Sequence, residues 1–137
     1  MKIKPLYFVL FVFYFQSHSQ ASCSDANSDV IYAYSHIKAA YESNNLDHLK
    51  YWSNRCLEVF EKAKDKLESC GCEKAYNHTL DIVELLSNVE YSETNEDGRF
   101  YVKRAGDLAK EAINEFELCT ELEAATIDKS LEDNSEH

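Results

Sequence analysis

The chain has 137 residues, with 25 acidic and 14 basic side chains and a formal charge of −11 at neutral pH. This length fits a single domain, and the acidity argues against nucleic acid or an anionic membrane as a partner. With one proline and three glycines in the whole chain, the composition argues against a β-sandwich, a β-barrel and a glycine-rich nucleotide site.

Residues 1–21 have the pattern of a secretory signal. Lys2 and Lys4 precede an apolar run from Leu6 to Phe15, and small residues near the end favour cleavage after Ala21. The run has ten residues, too few for a membrane span, which takes about 20. We expect cleavage to leave 12 basic and 25 acidic residues, because the two lysines leave with the segment, and hence a charge of −13.

A lipid anchor on Cys23 is the less favoured alternative. A lipobox needs an aliphatic residue three positions before the cysteine, directly after the apolar run, and Gln20 holds that place. We therefore predict a secreted or periplasmic protein with no membrane span in its mature chain. Export places the cysteines in an oxidising compartment, where disulfides persist.

Four segments after the signal carry apolar residues three and four positions apart, which predicts amphipathic helices. Their predicted ranges are residues 28–43, 46–69, 73–91 and 96–124. The last segment, TIDKSLEDNSEH, has little apolar material and is predicted to be disordered. The predicted domains are thus a signal over 1–21, a bundle over 22–125 and an acidic tail over 126–137.

The links between these segments carry helix start and stop signals. Asn44 and Asn45 break the pattern, and Asn45 is a suitable N-cap for the second helix. Gly71 suits a left-handed C-cap. Thr94 followed by Asp97 resembles a capping box. Links this short make consecutive helices antiparallel neighbours.

An internal repeat relates the second and fourth predicted helices. At an offset of 49 residues, KYWSNRCLEVFEKAKDKLESC aligns without a gap to RFYVKRAGDLAKEAINEFELC. Two amphipathic helices can converge on similar composition, but the aromatic pair, the arginine and the terminal cysteine match in one register. The sequence therefore predicts an all-α fold, an antiparallel up-down four-helix bundle built from a duplicated helical hairpin.

The cysteines give a geometric test of this bundle. Cys23 precedes the first helix, Cys70 and Cys72 flank Gly71 in the second link, and Cys119 lies near the end of the fourth helix. These four cysteines meet at one end of an up-down bundle. Cys70 and Cys72 are too close in sequence to bond each other without strain. We predict two disulfides, with the choice between Cys70 and Cys72 as the partner of Cys23 left open.

A structural zinc site at the same end is the alternative, since four thiolates can hold zinc. The Cys-x-Cys spacing is tighter than the usual zinc spacing, and export favours oxidation. Cys56 lies on the apolar stripe of the second helix and is predicted to be a buried free thiol.

Motifs for catalysis are missing from the sequence. His36, His48 and His78 lack a Glu three residues before them, so the Glu-x-x-His pairs of di-iron bundles are absent. The chain also lacks a haem-attachment motif, a Gly-x-Ser-x-Gly elbow and a phosphate-binding loop. We predict a protein that is not an enzyme and needs no cofactor.

Two aromatic–arginine triplets form the candidate interaction patch, because aromatic residues and arginine are the preferred anchors of protein interfaces. Each arginine also has an acid three residues later, so intrahelical ion pairs with the guanidinium over a ring are the structural alternative. Exposed rings would favour an interface, and buried rings would place them in the core. The triplets are Tyr51, Trp52 and Arg55, and Phe100, Tyr101 and Arg104.

The segment NLDHLKYWSNRCLEVFEKAKDKLESCGCEKAYN, with EDGRFYVKRA and ELCT, resembles small exported helical proteins of flavobacteria and related bacteria. The resemblance covers residues 30–120, and it implies a periplasmic or secreted helical protein without an assigned activity.

Together these features predict an exported, non-enzymatic protein-interaction or structural module of the cell envelope, with an unidentified protein partner. The alternative is a carrier of a small ligand or metal that uses the bundle interior or the end formed by Cys23, Cys70, Cys72 and Cys119.

Overall fold

Helices account for nearly all of the chain that the structure describes. The computed structural model describes residues 22–133, and the predicted signal over 1–21 lies outside the described residues. No strand occurs between residues 22 and 133, which confirms the all-α prediction. The four helices are α1 (Cys23–Glu42), α2 (Leu46–Ser69), α3 (Glu73–Val89) and α4 (Asn95–Asp133).

The helices pack as a four-helix bundle in which each consecutive pair is adjacent. α1 lies between α2 and α4, α3 completes the square, and α2 and α4 occupy opposite corners. One end of the bundle, the disulfide pole, holds the start of α1 and the link 70–72. The other end, the link pole, holds the links 43–45 and 90–94. This arrangement confirms the predicted up-down bundle.

α1 begins five residues earlier than predicted. The Ser22 side chain accepts a hydrogen bond from the Asp25 N–H and caps the helix. Cys23, Ala26 and Asn27 are buried, so packing holds a first turn that apolar periodicity alone does not reveal. α2 begins as predicted, since Asn45 caps it through the His48 N–H, and α4 begins at Asn95, one residue earlier than predicted.

α4 is longer than predicted. It continues to Asp133, so residues 126–133, which were predicted to be disordered, are helical. The stretch contains no glycine or proline after Gly106 and is rich in residues of high helix propensity such as Ala124 and Ala125. Most of this extension is exposed, because it runs past the disulfide pole, where no other helix within residues 22–133 covers it.

The two predicted disulfides are present, and the structure settles their pairing. Cys23 is bonded to Cys70 and Cys72 to Cys119, with a sequence separation of 47 in each case. Each disulfide therefore closes its own hairpin. Gly71 has a φ of 81°, a left-handed conformation that suits glycine. It lets the chain turn between Cys70 and Cys72, which belong to different disulfides.

A leucine of α2 packs against a glycine of α4 at the bundle centre, near the link pole. Leu49 of α2 is fully buried and lies against Gly98 of α4. A Cβ atom at Gly98 would be 2.8 Å from Leu49 Cδ2. At the offset of 49 residues these two positions correspond to each other, so the leucine fills the space that the glycine leaves.

Gly98→Ala is expected to lower the free energy of unfolding by about 1 kcal/mol, because overpacking costs about 1–3 kcal/mol and the gain in helix propensity offsets about 1. In a Leu49→Ala background the same substitution is expected to stabilise the protein. Urea denaturation of the four proteins in this double-mutant cycle measures the reversal. An unchanged effect of Gly98→Ala in both backgrounds would contradict the packing.

Candidate interaction surfaces

The first aromatic triplet, here called the α2 cluster, consists of Tyr51, Trp52 and Arg55. The Tyr51 and Trp52 rings form an edge-to-face pair with centroids 5.1 Å apart and an interplanar angle of 75°. Tyr51 is 55% exposed, whereas Trp52 is half-buried against the core. Arg55 forms an exposed ion pair with Glu58 at 2.6 Å, as the structural alternative predicted.

The second triplet, the α4 cluster, consists of Phe100, Tyr101 and Arg104. Its rings have nearly the same geometry, with centroids 5.6 Å apart and an interplanar angle of 76°. Phe100 is 58% exposed, and the Arg104 guanidinium lies 5.7 Å from its ring centre. Asp107 instead accepts a hydrogen bond from Lys103, which lowers the pKa of that carboxyl.

The structure does not bring the six predicted residues together into one patch. Both clusters lie near the link pole, since each is close to the start of its helix, but α2 and α4 stand at opposite corners. The apolar periodicity of the sequence predicts the helix on which each triplet lies. The diagonal position of α2 and α4 follows instead from which helices pack as neighbours. In each cluster, one ring of the pair is anchored and the other is exposed.

His36 packs against the α2 cluster, a contact that was not predicted from the sequence. Its ring stacks on Trp52, with centroids 5.6 Å apart, and forms an edge-to-face pair with Tyr32, with centroids 4.8 Å apart. Its Nε2 atom is buried without a hydrogen-bond partner among the described residues. Desolvation, with a smaller effect of Arg55 and an opposing one of Glu58, lowers the pKa of His36. In the sequence, the spacing of four residues between Tyr32 and His36 indicated that these two rings would be neighbours on α1.

The fluorescence of Trp52, the only tryptophan of the chain, is expected to fall on acidification, because a protonated His36 quenches the stacked indole. The midpoint should lie below 6.5, the ordinary pKa of histidine. Because the unfolded chain binds this proton first, the free energy of unfolding should decrease as pH falls through 6.5. His36→Gln should remove the fluorescence transition, and a transition that survives this substitution would contradict the assignment.

A groove of about 610 Å³ lies at the disulfide pole beneath the extension of α4. The four bonded cysteines form its floor, and Leu122 and Ile127 of the extension line its wall. The Glu123 carboxylate accepts a hydrogen bond of 3.3 Å from the Cys23 N–H and ties the extension to the start of α1. The disulfides use all four thiolates that the alternative zinc site would need.

Cys56 is a buried free thiol, as predicted. Its sulfur donates a hydrogen bond to the Ala33 carbonyl at 3.3 Å, and burial raises the pKa of the thiol. Cys56 therefore stays in the unreactive thiol form and contributes to packing. Among residues 22–133, no three or more His, Cys, Asp or Glu side chains cluster in a way that suits a metal ion.

Comparisons with protein-family models, curated proteins and solved structures find no match to this chain. None of the helices between residues 22 and 133 combines the length and apolar character that crossing a membrane requires. Two disulfides are typical of proteins in an oxidising, extracytoplasmic environment.

Proposed function

We propose that this protein is an exported, non-enzymatic interaction module of the cell envelope. Its α2 cluster and its α4 cluster each form a binding site for a partner protein. The observation that carries the proposal is the repeated aromatic pair. Two edge-to-face pairs with matching geometry each expose the outer ring, Tyr51 or Phe100. An exposed ring that a half-buried neighbour holds in place loses little conformational freedom on binding, which favours its use as an anchor.

Duplication explains why there are two clusters. The offset of 49 residues that superposes the α2 and α4 sequences also takes Cys23 to Cys72 and Cys70 to Cys119, so one disulfide corresponds to the other. The side-chain caps correspond too, since Asn45 bonds the His48 N–H and Thr94 bonds the Asp97 N–H. Two copies of one ancestral hairpin would carry two copies of its contact surface.

Opposite corners suit a bridging role. A partner that occupies the α2 cluster leaves the α4 cluster accessible, because the two belong to diagonally placed helices. A protein that binds two linked sites at once gains avidity without any new contact. The acidic surface, with a formal charge of −11 for the whole chain, favours partners with basic residues around an apolar pocket.

Export is the other part of the proposal. The signal pattern of residues 1–21, the resemblance to small exported proteins and the two disulfides all support it. Ser22, the residue after the predicted cleavage site, is the N-cap of α1, so cleavage there would leave the helix intact. An intact mass that starts at Ser22 and is lighter by four hydrogens than the reduced chain would support export. A retained segment or a lipid on Cys23 would contradict it.

Photo-crosslinking tests the two-site function in the cells that make the protein. A crosslinking phenylalanine analogue replaces Tyr51 or Phe100, and the matched control carries it at Leu118, which is 54% exposed outside both clusters. We expect adducts with the same partner from both clusters and none from the control. An adduct from only one cluster, or equal adducts from the control, would contradict the proposal.

The second candidate function, a small-ligand carrier, is favoured by a specific observation, an apolar groove between α2 and α3.

A further inference from the structure

Two pairs of neighbouring helices, whose contact lines are here called seams, correspond to each other in the internal repeat. They differ in how closely the two helices approach. The offset of 49 residues relates the α1–α4 seam to the α2–α3 seam. α1 and α4 are in extensive contact, whereas α2 and α3 touch much less. A groove of about 410 Å³ opens between α2 and α3. The more closely packed α1–α4 seam, here called the closed seam, keeps a smaller groove of about 320 Å³ and is an internal reference for the α2–α3 seam, here called the open seam.

Side-chain size at corresponding positions accounts for the difference. At the closed seam, α4 carries Gly106, and a Cβ atom there would lie only 3.3 Å from Ile37 Cγ2 of α1. Leu57 takes the corresponding position on α2, and Phe60 takes that of Ala109. Both large residues line the groove. Small residues allow two helices to approach closely, and large ones hold α2 away from α3.

The groove is apolar and elongated. Phe60, Leu67 and Thr79 are buried at its floor, and the Thr79 hydroxyl already donates a hydrogen bond to the Tyr76 carbonyl. The α2 side from Leu57 to Leu67 is about 15 Å long at 1.5 Å per residue. The groove has a volume of about 410 Å³, and its length suits an extended hydrocarbon chain that lies along the two helices.

The rim of the groove carries one cation. Lys64 lies on the rim and forms no ion pair within residues 22–133, whereas Lys66, two residues on, pairs with Asp29. The position that corresponds to Lys64 at the closed seam holds Ile113, and the lysines that line the groove of that seam include Lys103 and Lys110, which both pair with Asp107. Glu61 shares the rim and weakens the attraction of Lys64 for an anion.

We propose that the α2–α3 groove binds the hydrocarbon chain of a fatty-acid anion, with the carboxylate at Lys64. The apolar floor accepts a chain without unmet hydrogen bonds, and the length of the groove favours an extended chain. Leu80, which is 48% exposed on the rim, is then covered by the bound chain. This site lies apart from the α2 and α4 clusters, so a failure of the bridging function would not affect it, and its own failure would not affect the bridging function.

The test uses the oxidised chain from Ser22 to His137 and isothermal titration with dodecanoate below its micelle concentration. We expect saturable binding of one molecule per chain. Leu80→Asp should weaken binding at least about tenfold, because it places a charge where the chain packs. The matched control is Ile31→Asp. Ile31 corresponds to Leu80 at the closed seam and is equally exposed, at 48%, so this variant should bind like the parent.

The charge arm of the test uses dodecanol as a neutral probe. Lys64→Glu should weaken dodecanoate binding about tenfold and leave dodecanol binding unchanged, while Glu61→Gln should strengthen dodecanoate binding. Equal losses in Leu80→Asp and Ile31→Asp, equal effects of Lys64→Glu on both probes, or no saturable binding would overturn the proposal. Dimerisation in sedimentation that Leu80→Asp abolishes would instead assign the groove to a second copy of the chain.

Discussion

Removing the Cys23–Cys70 disulfide by Cys→Ala substitution of both residues is expected to lower the free energy of unfolding by about 4 kcal/mol. The bond closes a loop with a sequence separation of 47, and a loop of that size restricts the unfolded chain by about this amount in the chain-entropy model. Alanine is preferred to serine because both cysteines are buried and a hydroxyl there would be desolvated. Urea denaturation measures the change.

The Cys72–Cys119 bond is a matched comparison within the same chain, since its separation is also 47. Its removal should cost about the same 4 kcal/mol, and removal of both bonds about 8 kcal/mol, which is within the whole stability of an ordinary domain. Cys56→Ala removes a buried sulfur without a crosslink and should cost only about 1 kcal/mol. Equal effects of Cys56→Ala and of either disulfide removal would contradict the proposed role of the bonds.

Phe116→Ala is expected to destabilise the protein by about 3–5 kcal/mol, because Phe116 is fully buried and its loss leaves a cavity that the surrounding helices fill only in part. Phe116 is the largest of the fully buried side chains in the described residues, and it lies on α4 three residues before Cys119. The free energy of unfolding from urea denaturation, with both disulfides intact, is the measurement.

Phe100→Ala is the matched control for this prediction. It makes the same chemical change on the same helix, but Phe100 is 58% exposed, so the cost should stay below about 0.5 kcal/mol. A large loss of stability in Phe100→Ala would show that the ring belongs to the core rather than to a contact surface. It would therefore also count against the α4 cluster as an interaction site.

Local patterns in the sequence predicted most of the helical fold. Apolar residues three and four apart marked all four helices, and Asn45 and Thr94 marked two of the starts, because capping and burial of one face depend on residues close in sequence. The beginning of α1 and the extension of α4 were wrong for the same reason. The first turn of α1 is held by Cys70, and Glu123 also contacts it, contacts that no local pattern records.

The candidate sites were predicted less well than the fold. The sequence singled out the aromatic triplets and showed that they correspond, but it did not reveal that Tyr51 and Phe100 would be exposed while Trp52 and Tyr101 are anchored. His36 joined the α2 cluster only through the packing of α1 on α2. The groove between α2 and α3 was not predicted from the sequence, since it depends on the distance between two helices.

Residue spacing along the chain was enough to predict four helices, the four cysteines that meet at one pole and an offset that aligns the two hairpins. These features depend on residue spacing along one chain, which the periodicity of a helix converts directly into faces and ends. The packing of the helices was needed to establish that Cys70 pairs with Cys23, that the aromatic clusters stand at opposite corners and that the α2–α3 seam is more open than the α1–α4 seam. Each of these depends on which helices become neighbours and how closely they approach, and that is set by side-chain volumes such as those of Leu57 and Gly106 acting across the whole bundle.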